Sequence, residues 1–288
     1  MEIKALTRES LSGTLPERRR DSSKGDYGRT LLLCGSVGYT GAPFLAAEAA
    51  VRSGAGLVFL GVPRDIYEII AVKLNEAMPF PLPSENGMLS SRSAELILER
   101  LEKCDVCLVG PGLGRSRGVS EVLFEIIRNS RVPLVIDADG INALSANINI
   151  LDEAACPIIL TPHEGEFKRL GGDLSMGREK GALEFVKAHS CTLVLKGSGT
   201  VIAFGDGTLA RNTTGNPGMA KGGSGDVLAG MITALLGQKI PLKSAVSAAV
   251  WLHGRTGDLL CEELGEYSMT PTDLVYALPR AFKELSAV

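Results

Sequence analysis

No stretch of the 288-residue sequence approaches the roughly 18 uninterrupted apolar residues that a spanning helix needs, so no transmembrane helix is expected. The opening Met1-Glu2-Ile3-Lys4 lacks the apolar run of a secretory signal, and the cytoplasm follows as the expected location. Cysteine is sparse. Its six residues lie in apolar runs (Cys34, Cys107, Cys156) or scattered on helical segments, without the density of a disulfide scaffold. Cys104-Asp105-Val106-Cys107 has the spacing of a redox or zinc pair. It leads into a strand-like run, has no second pair and opens no helix, so buried thiols are expected. A net charge of −3 gives no reason to expect nucleic acid or an acidic membrane as partner. The basic cluster Arg18-Arg19-Arg20 reads as a solvated polar arm. Linkers, repeats and low-complexity tracts are missing too, which makes one domain over 1–288, with an arm over 1–23, the simplest account.

What is present fits a globular α/β chain: 45% hydrophobic residues, 22% charged, 5% aromatic and 34 glycines, a composition rich in tight strand-to-helix turns and unlike that of disordered chains. A chain of this length can hide roughly three quarters of its unfolded surface. After a polar, turn-rich segment to about residue 28, apolar runs alternate with helical patterns. Strands are expected at Thr30–Cys34, Leu57–Gly61, Val106–Val109, Leu134–Ile136, Ile158–Leu160 and Leu193–Leu195. Helices are expected at Ala42–Ser53, Arg64–Ile70, Ala94–Lys103, Val119–Asn129, Ile141–Leu144, Glu164–Leu170 and Arg178–His189. Gly225–Leu236, Ala245–Glu263 and Pro271–Leu285 complete them. Pro79–Asn86 reads as a proline-rich loop, and Val201–Phe204 with Thr208–Arg211 as a hairpin. Short runs apolar on both faces, separated by helices, indicate a mostly parallel sheet covered on both sides, with an antiparallel edge from the hairpin.

Ligands of open α/β sheets bind beyond the carboxyl ends of the strands, so the loops following the strands are the ones to inspect. Gly215-Asn216-Pro217-Gly218-Met219-Ala220-Lys221-Gly222-Gly223-Ser224-Gly225-Asp226 runs into a helix of small residues. Its glycines allow backbone amides to face one point, and the helix start adds free amides and the positive end of its dipole. Gly222, Gly223, Ser224 and Gly225 therefore form a candidate anion hole. Asp226 would repel phosphate, so its natural role is to accept a proton from an attacking hydroxyl; the bland alternative is a capping carboxylate in a flexible loop. No Walker loop is present. Gly110-Pro111-Gly112-Leu113-Gly114 follows another strand, and close packing explains it as well as ligand contact does. Asp137 and Asp139 could hold magnesium through water or cap the helix behind them. Thr161-Pro162-His163-Glu164-Gly165-Glu166 sits at a strand-to-helix turn. Lys196-Gly197-Ser198-Gly199-Thr200 can offer amides, hydroxyls and a cation to phosphate, or be a simple hairpin loop.

This set of segments resembles the ADP/ATP-dependent NAD(P)H-hydrate dehydratases of the ribokinase-like superfamily, from about Lys24 to Pro279. The matching segments are Lys24–Arg29, Gly41–Pro43, Arg52–Gly56, Gly110–Gly114, Ile136–Leu144, Thr161–Phe167, Lys196–Thr200 and Gly215–Gly230. The resemblance implies a three-layer α/β/α fold and a repair reaction. NADH or NADPH hydrated at C6 (NADHX, NADPHX) would be phosphorylated on that hydroxyl by ADP, or ATP, and phosphate would then leave. Lys196, Gly197, Ser198, Gly199, Thr200 and Gly225 match nucleotide-binding positions. Ala42, Gly112, Gly114, His163 and Asp226 match positions around the hydrate, with Asp226 the base. Magnesium would bridge the phosphates, near Asp137, Asp139 and Glu166. The resemblance further implies a stand-alone dehydratase, with no room for the epimerase domain many relatives carry, served by a separate NAD(P)H-hydrate epimerase and often tetrameric. Related small-molecule kinases acting on hydroxymethylpyrimidine, thiazole or pyridoxal compounds commonly have Asn-x-x-Glu where this chain has His163-x-x-Glu166, which favours the dehydratase. A non-catalytic nucleotide sensor would need no base at Asp226.

Overall fold

The structure, a computed structural model, describes residues 2–286. Its centre is a ten-stranded sheet of β1 (Ile3–Leu6), β2 (Arg29–Leu33), β3 (Leu57–Pro63), β4 (Met78–Leu82), β7 (Val106–Val109), β8 (Leu134–Ile136), β9 (Ile158–Leu160), β10 (Thr192–Leu195), β11 (Val201–Ala203) and β12 (Leu209–Asn212). A small hairpin, β5 (Ser84–Glu85) and β6 (Met88–Leu89), lies outside it. The strand order is β1-β12-β11-β10-β9-β8-β7-β2-β3-β4, and only β11 runs against the rest. The strands β7 to β10 are buried along their whole length, which is why they read as unbroken apolar runs rather than as alternating ones.

Two helical layers cover the sheet. One face carries α1 (Gly41–Arg52), α2 (Tyr67–Lys73), α8 (Ser224–Gly237), α9 (Leu242–Ser268) and α10 (Pro271–Ser286), packed on Leu32, Leu60, Leu108, Val135 and Ile159. The other carries α3 (Ser93–Leu101), α4 (Arg117–Asn129), α5 (Asp139–Leu144), α6 (Glu164–Arg169) and α7 (Arg178–His189), packed on Leu31, Leu33, Val109, Ile136 and Leu160. Successive strand residues thus feed opposite cores, as the pleat requires.

Both outer strands differ from expectation. β1 lies in the segment read as a polar arm and pairs parallel with β12, Ile3 opposite Leu209. A single buried residue, Leu6, anchors it, too weak a pattern to read as a strand. β4 lies in the proline-rich stretch, with Pro79 and Pro81 opposite Leu60 and Val62. It is the last strand of the sheet, so alternate amides face outward and the missing N–H groups cost no ladder bond. The helix expected at Arg64–Ile70 begins as a 3₁₀ turn over Arg64–Ile66 and becomes α2 only at Tyr67.

Candidate active site

The parallel strands β2, β7, β8, β9 and β10 end on the same edge of the sheet, and their following loops are bonded to one another there. Ser36, after β2, donates its hydroxyl to the Gly112 carbonyl at 2.8 Å, and Gly35 N donates to Pro111 O at 2.8 Å. Gly114 N donates to Asp139 Oδ2 at 2.9 Å. Lys196 N donates to Pro162 O at 2.8 Å, joining the loop after β10 to that after β9. Ala42 stands at the start of α1, where a Cβ on Gly112 would lie 3.0 Å from the Ala42 methyl.

At the middle of this edge a charged pair is sunk beneath the start of α8. Asp137 is 1% exposed; its Oδ1 accepts from Lys196 Nζ at 2.6 Å and from the Thr161 hydroxyl at 2.8 Å. Its Oδ2 is buried and has no hydrogen-bond donor among the described residues. A Cβ on Gly225 would lie 3.2 Å from Lys196 Nζ and 3.8 Å from Asp137 Oδ2, so the first turn of α8 lies against the pair. Asp226 is the acidic residue of that turn. Burial pushes its carboxyl up to about 7, the negative charges of Asp137 and Asp139 add to the rise, and the Lys196 ammonium opposes it. The Lys196 ammonium itself is held above its ordinary range, because Asp137 and the other carboxylates outweigh the opposing cost of burial.

The loop before Asp226 owes its shape to its neighbours. Gly223 has φ +106, and a Cβ there would meet Leu45 of α1 at 2.6 Å, so the turn demands glycine. Ser224 differs from the expected role: its amide donates to Lys221 O at 3.2 Å and its hydroxyl to Met219 O at 2.7 Å. Among the described residues, the amides of Gly222, Gly223 and Gly225 have no acceptor, and they are the donors left to an anion.

His163 is exposed and caps α6. Its Nδ1 accepts from Gly165 N at 3.0 Å and from Glu166 N at 3.3 Å, while His163 N donates to Glu166 Oε2 at 2.9 Å. Glu166 is thus a capping carboxylate, and Asp139 bonds Gly114 N and Asn142 Nδ2. No group of three His, Cys, Asp or Glu side chains close enough to hold a metal occurs among the described residues. The six cysteines are free, and burial pushes the Cys107 thiol well up and Cys104 to about 11, so the Cys104–Cys107 spacing carries no reactive pair.

Several supporting residues escaped the sequence reading. Asp258 of α9 accepts from Gly215 N at 3.0 Å and Asn216 Nδ2 at 3.2 Å, and Lys221 Nζ donates to Met269 O at 2.6 Å. Gly254 and Gly257 of α9 lie against Thr214 and Met219, where a Cβ would come within 2.3 Å. Glycines three apart on one helix face were the available signal for this close approach. Arg178 of α7 binds the carbonyls of the 196–199 loop, and nothing local in the sequence marked it.

A mostly parallel sheet between two helical layers, with its loops converging under a glycine-rich helix start, defines a ribokinase-like α/β protein. The sequence model of the NAD(P)H-hydrate dehydratase family matches residues 30–280, and the chain belongs to that family. A bifunctional NAD(P)H-hydrate repair enzyme of Moorella thermoacetica is 41% identical over 285 residues, 97% of this chain and 54% of that protein. The chain thus spans about half the length of the bifunctional relatives it matches. The ADP-dependent (S)-NAD(P)H-hydrate dehydratase of Bacillus subtilis is 36% identical over 98% of this chain and 99% of its own. A crystal structure of the Bacillus subtilis ADP/ATP-dependent enzyme, co-crystallised with ATP/Mg2+, superposes with a TM-score of 0.84 at 32% identity, covering 99% of each chain.

Proposed function

We propose that this chain catalyses the ADP-dependent dehydration of (6S)-NADHX and NADPHX to NADH and NADPH. The observation that carries the reading is Asp226: a carboxylate pushed up to about 7, in the first turn of α8, beside three amides that have no acceptor among the described residues. A base poised near neutrality can take the C6 hydroxyl proton at the moment the oxygen attacks the donor's terminal phosphoryl group. The amides of Gly222, Gly223 and Gly225 hold the charge on the transferring group. Loss of phosphate from C6 and of a proton from C5 then restores the dihydronicotinamide ring. Lys196–Thr200 with Gly225 would bind the nucleotide, and Ala42, Gly112, Gly114 and His163 would line the hydrate. The likeness to an enzyme named as ADP-dependent and to one crystallised with ATP/Mg2+ supports this assignment of donor and substrate.

Magnesium fits one feature of the site. The buried Asp137 Oδ2 without a donor is the oxygen type that a magnesium-bound water satisfies, with Asp139 nearby. Glu166, whose two oxygens face His163, fits less well. When bound, the ion would neutralise phosphate charge. The continuous sheet from β1 to β4 supports one domain. The free cysteines, and the want among the described residues of any helix long and apolar enough to cross a membrane, accord with the proposed cytoplasmic location. A homotetramer working with a separate epimerase completes the reading.

The test is absorbance at 340 nm after mixing enzyme, magnesium, purified NADH-hydrate and either ADP or ATP. A rise that requires nucleotide, larger with ADP, is expected. No rise with either nucleotide on folded protein would move the assignment to a small-alcohol kinase.

A further inference from the structure

Arg178 opens α7, and its two terminal guanidinium nitrogens bind the backbone of the Lys196–Thr200 loop and of Leu195 just before it. Nη1 donates to Ser198 O at 2.7 Å and Gly199 O at 3.3 Å; Nη2 donates to Leu195 O at 2.8 Å and Lys196 O at 3.1 Å. Nε lies 3.3 Å from Glu164 Oε1, an ion pair without a hydrogen bond, so the carbonyl contacts alone set the guanidinium's orientation. Few side chains can do this: only a planar fork with several N–H groups in fixed directions can collect four carbonyls at once.

The consequence follows from the peptide plane. A carbonyl and the next residue's N–H point to opposite sides of a trans peptide. Turning the carbonyls of Lys196 and Ser198 inward therefore turns the amides of Gly197 and Gly199 outward, while Thr200 closes the turn back on Gly197. Among the described residues neither the Gly197 nor the Gly199 amide has a hydrogen-bond acceptor. Gly197, at φ +150, could not carry a side chain without a Cβ 2.9 Å from Arg178 Nη2. The loop is thus a set of outward donors fixed from behind, which is the construction of an anion-binding nest.

We propose that Arg178 is the positioning residue of the nucleotide site: it holds the Lys196–Thr200 backbone so that its amides face the phosphates of the nucleoside diphosphate. This rests on the assignment of that loop to the nucleotide. Arg178 acts through the loop rather than by contact with the ligand, so geometry and not charge is what it supplies.

The experiment is calorimetric titration of ADP with magnesium into wild type, Arg178→Ala and Arg178→Lys, with thermal melts to confirm folding and KM for the hydrate measured alongside. Both variants are expected to weaken ADP binding about tenfold or more, since a lysine ammonium cannot collect the four carbonyls. The hydrate KM is expected to move less than about threefold. Millimolar guanidinium ion is expected to restore binding to Arg178→Ala. Wild-type affinity in either variant overturns the proposal; in Arg178→Lys it would mean that charge alone suffices. Absence of ADP binding to wild type itself would instead overturn the assignment of the loop. Should Arg178→Ala fail to fold, Arg178→Lys, which keeps the side-chain stem and charge, carries the test.

Discussion

The loops Gly110–Gly114 and Gly222–Gly225 are alike in composition and opposite in construction. In the first, Gly110 N donates to Leu33 O, Leu113 N to Gly110 O and Gly114 N to Asp139, and a Cβ on Gly110 would lie 1.8 Å from Asp137 O. Its glycines allow chains to approach, and its amides are nearly all used within the protein. In the second, three amides have no acceptor among the described residues, and nothing lies within 4 Å of a Cβ on Gly222. Glycine density marks a place where backbone must come close to something. Whether that is more protein or a ligand is decided by where the amides point.

The largest expected effect comes from closing the second loop. In Gly223→Val the side chain meets Leu45 and Pro271, the turn at φ +106 is strained, and the amides no longer converge. Turnover of NADH-hydrate should fall at least about 100-fold, the cost of losing an oxyanion donor, measured at saturating ADP. Unchanged turnover would mean that the phosphoryl group lies elsewhere.

Next in size is the pH response. Asp226 must be ionised to accept a proton, and its carboxyl is pushed up to about 7. Log kcat/KM should therefore rise with unit slope up to about pH 7 and level off above it. A plateau already reached at pH 5 would contradict a base of that kind. The smallest effect on turnover is expected in the first loop. Gly110→Ala should lower stability by about 3 kcal/mol in urea denaturation, through its clash with the Asp137 carbonyl. In the folded fraction turnover should fall far less than in Gly223→Val. A turnover loss as large as that of Gly223→Val, with unchanged stability, would erase the distinction between the loops.

The inner fold was legible because strands buried on both faces leave continuous apolar runs: Val106–Val109, Leu134–Ile136 and Ile158–Leu160 match the observed strands residue for residue. The outer strands were not, since β1 has one buried residue and β4 two prolines that only an edge tolerates. Within the site, Asp226 and the glycines were readable as local patterns. The Lys196–Asp137 pair joins residues 59 apart, and Asp258 reaches Gly215 across 43, so no spacing rule could bring either together. Ser224 looked like an amide donor to an anion, but a turn through Gly222 and Gly223 back to Lys221 takes its N–H. An arginine at a helix start, such as Arg178, reads as an ordinary surface charge until the carbonyls it binds are known.

The central claim is that Asp226 is the base and that the amides before it act independently of its charge. Asp226→Asn tests this most directly, with turnover of NADH-hydrate followed at 340 nm and ADP affinity measured on the same preparation. Turnover should fall about 100- to 10,000-fold while ADP affinity stays within a few-fold of wild type, since the loop amides remain. Turnover close to wild type, or affinity and turnover lost together, would contradict the account.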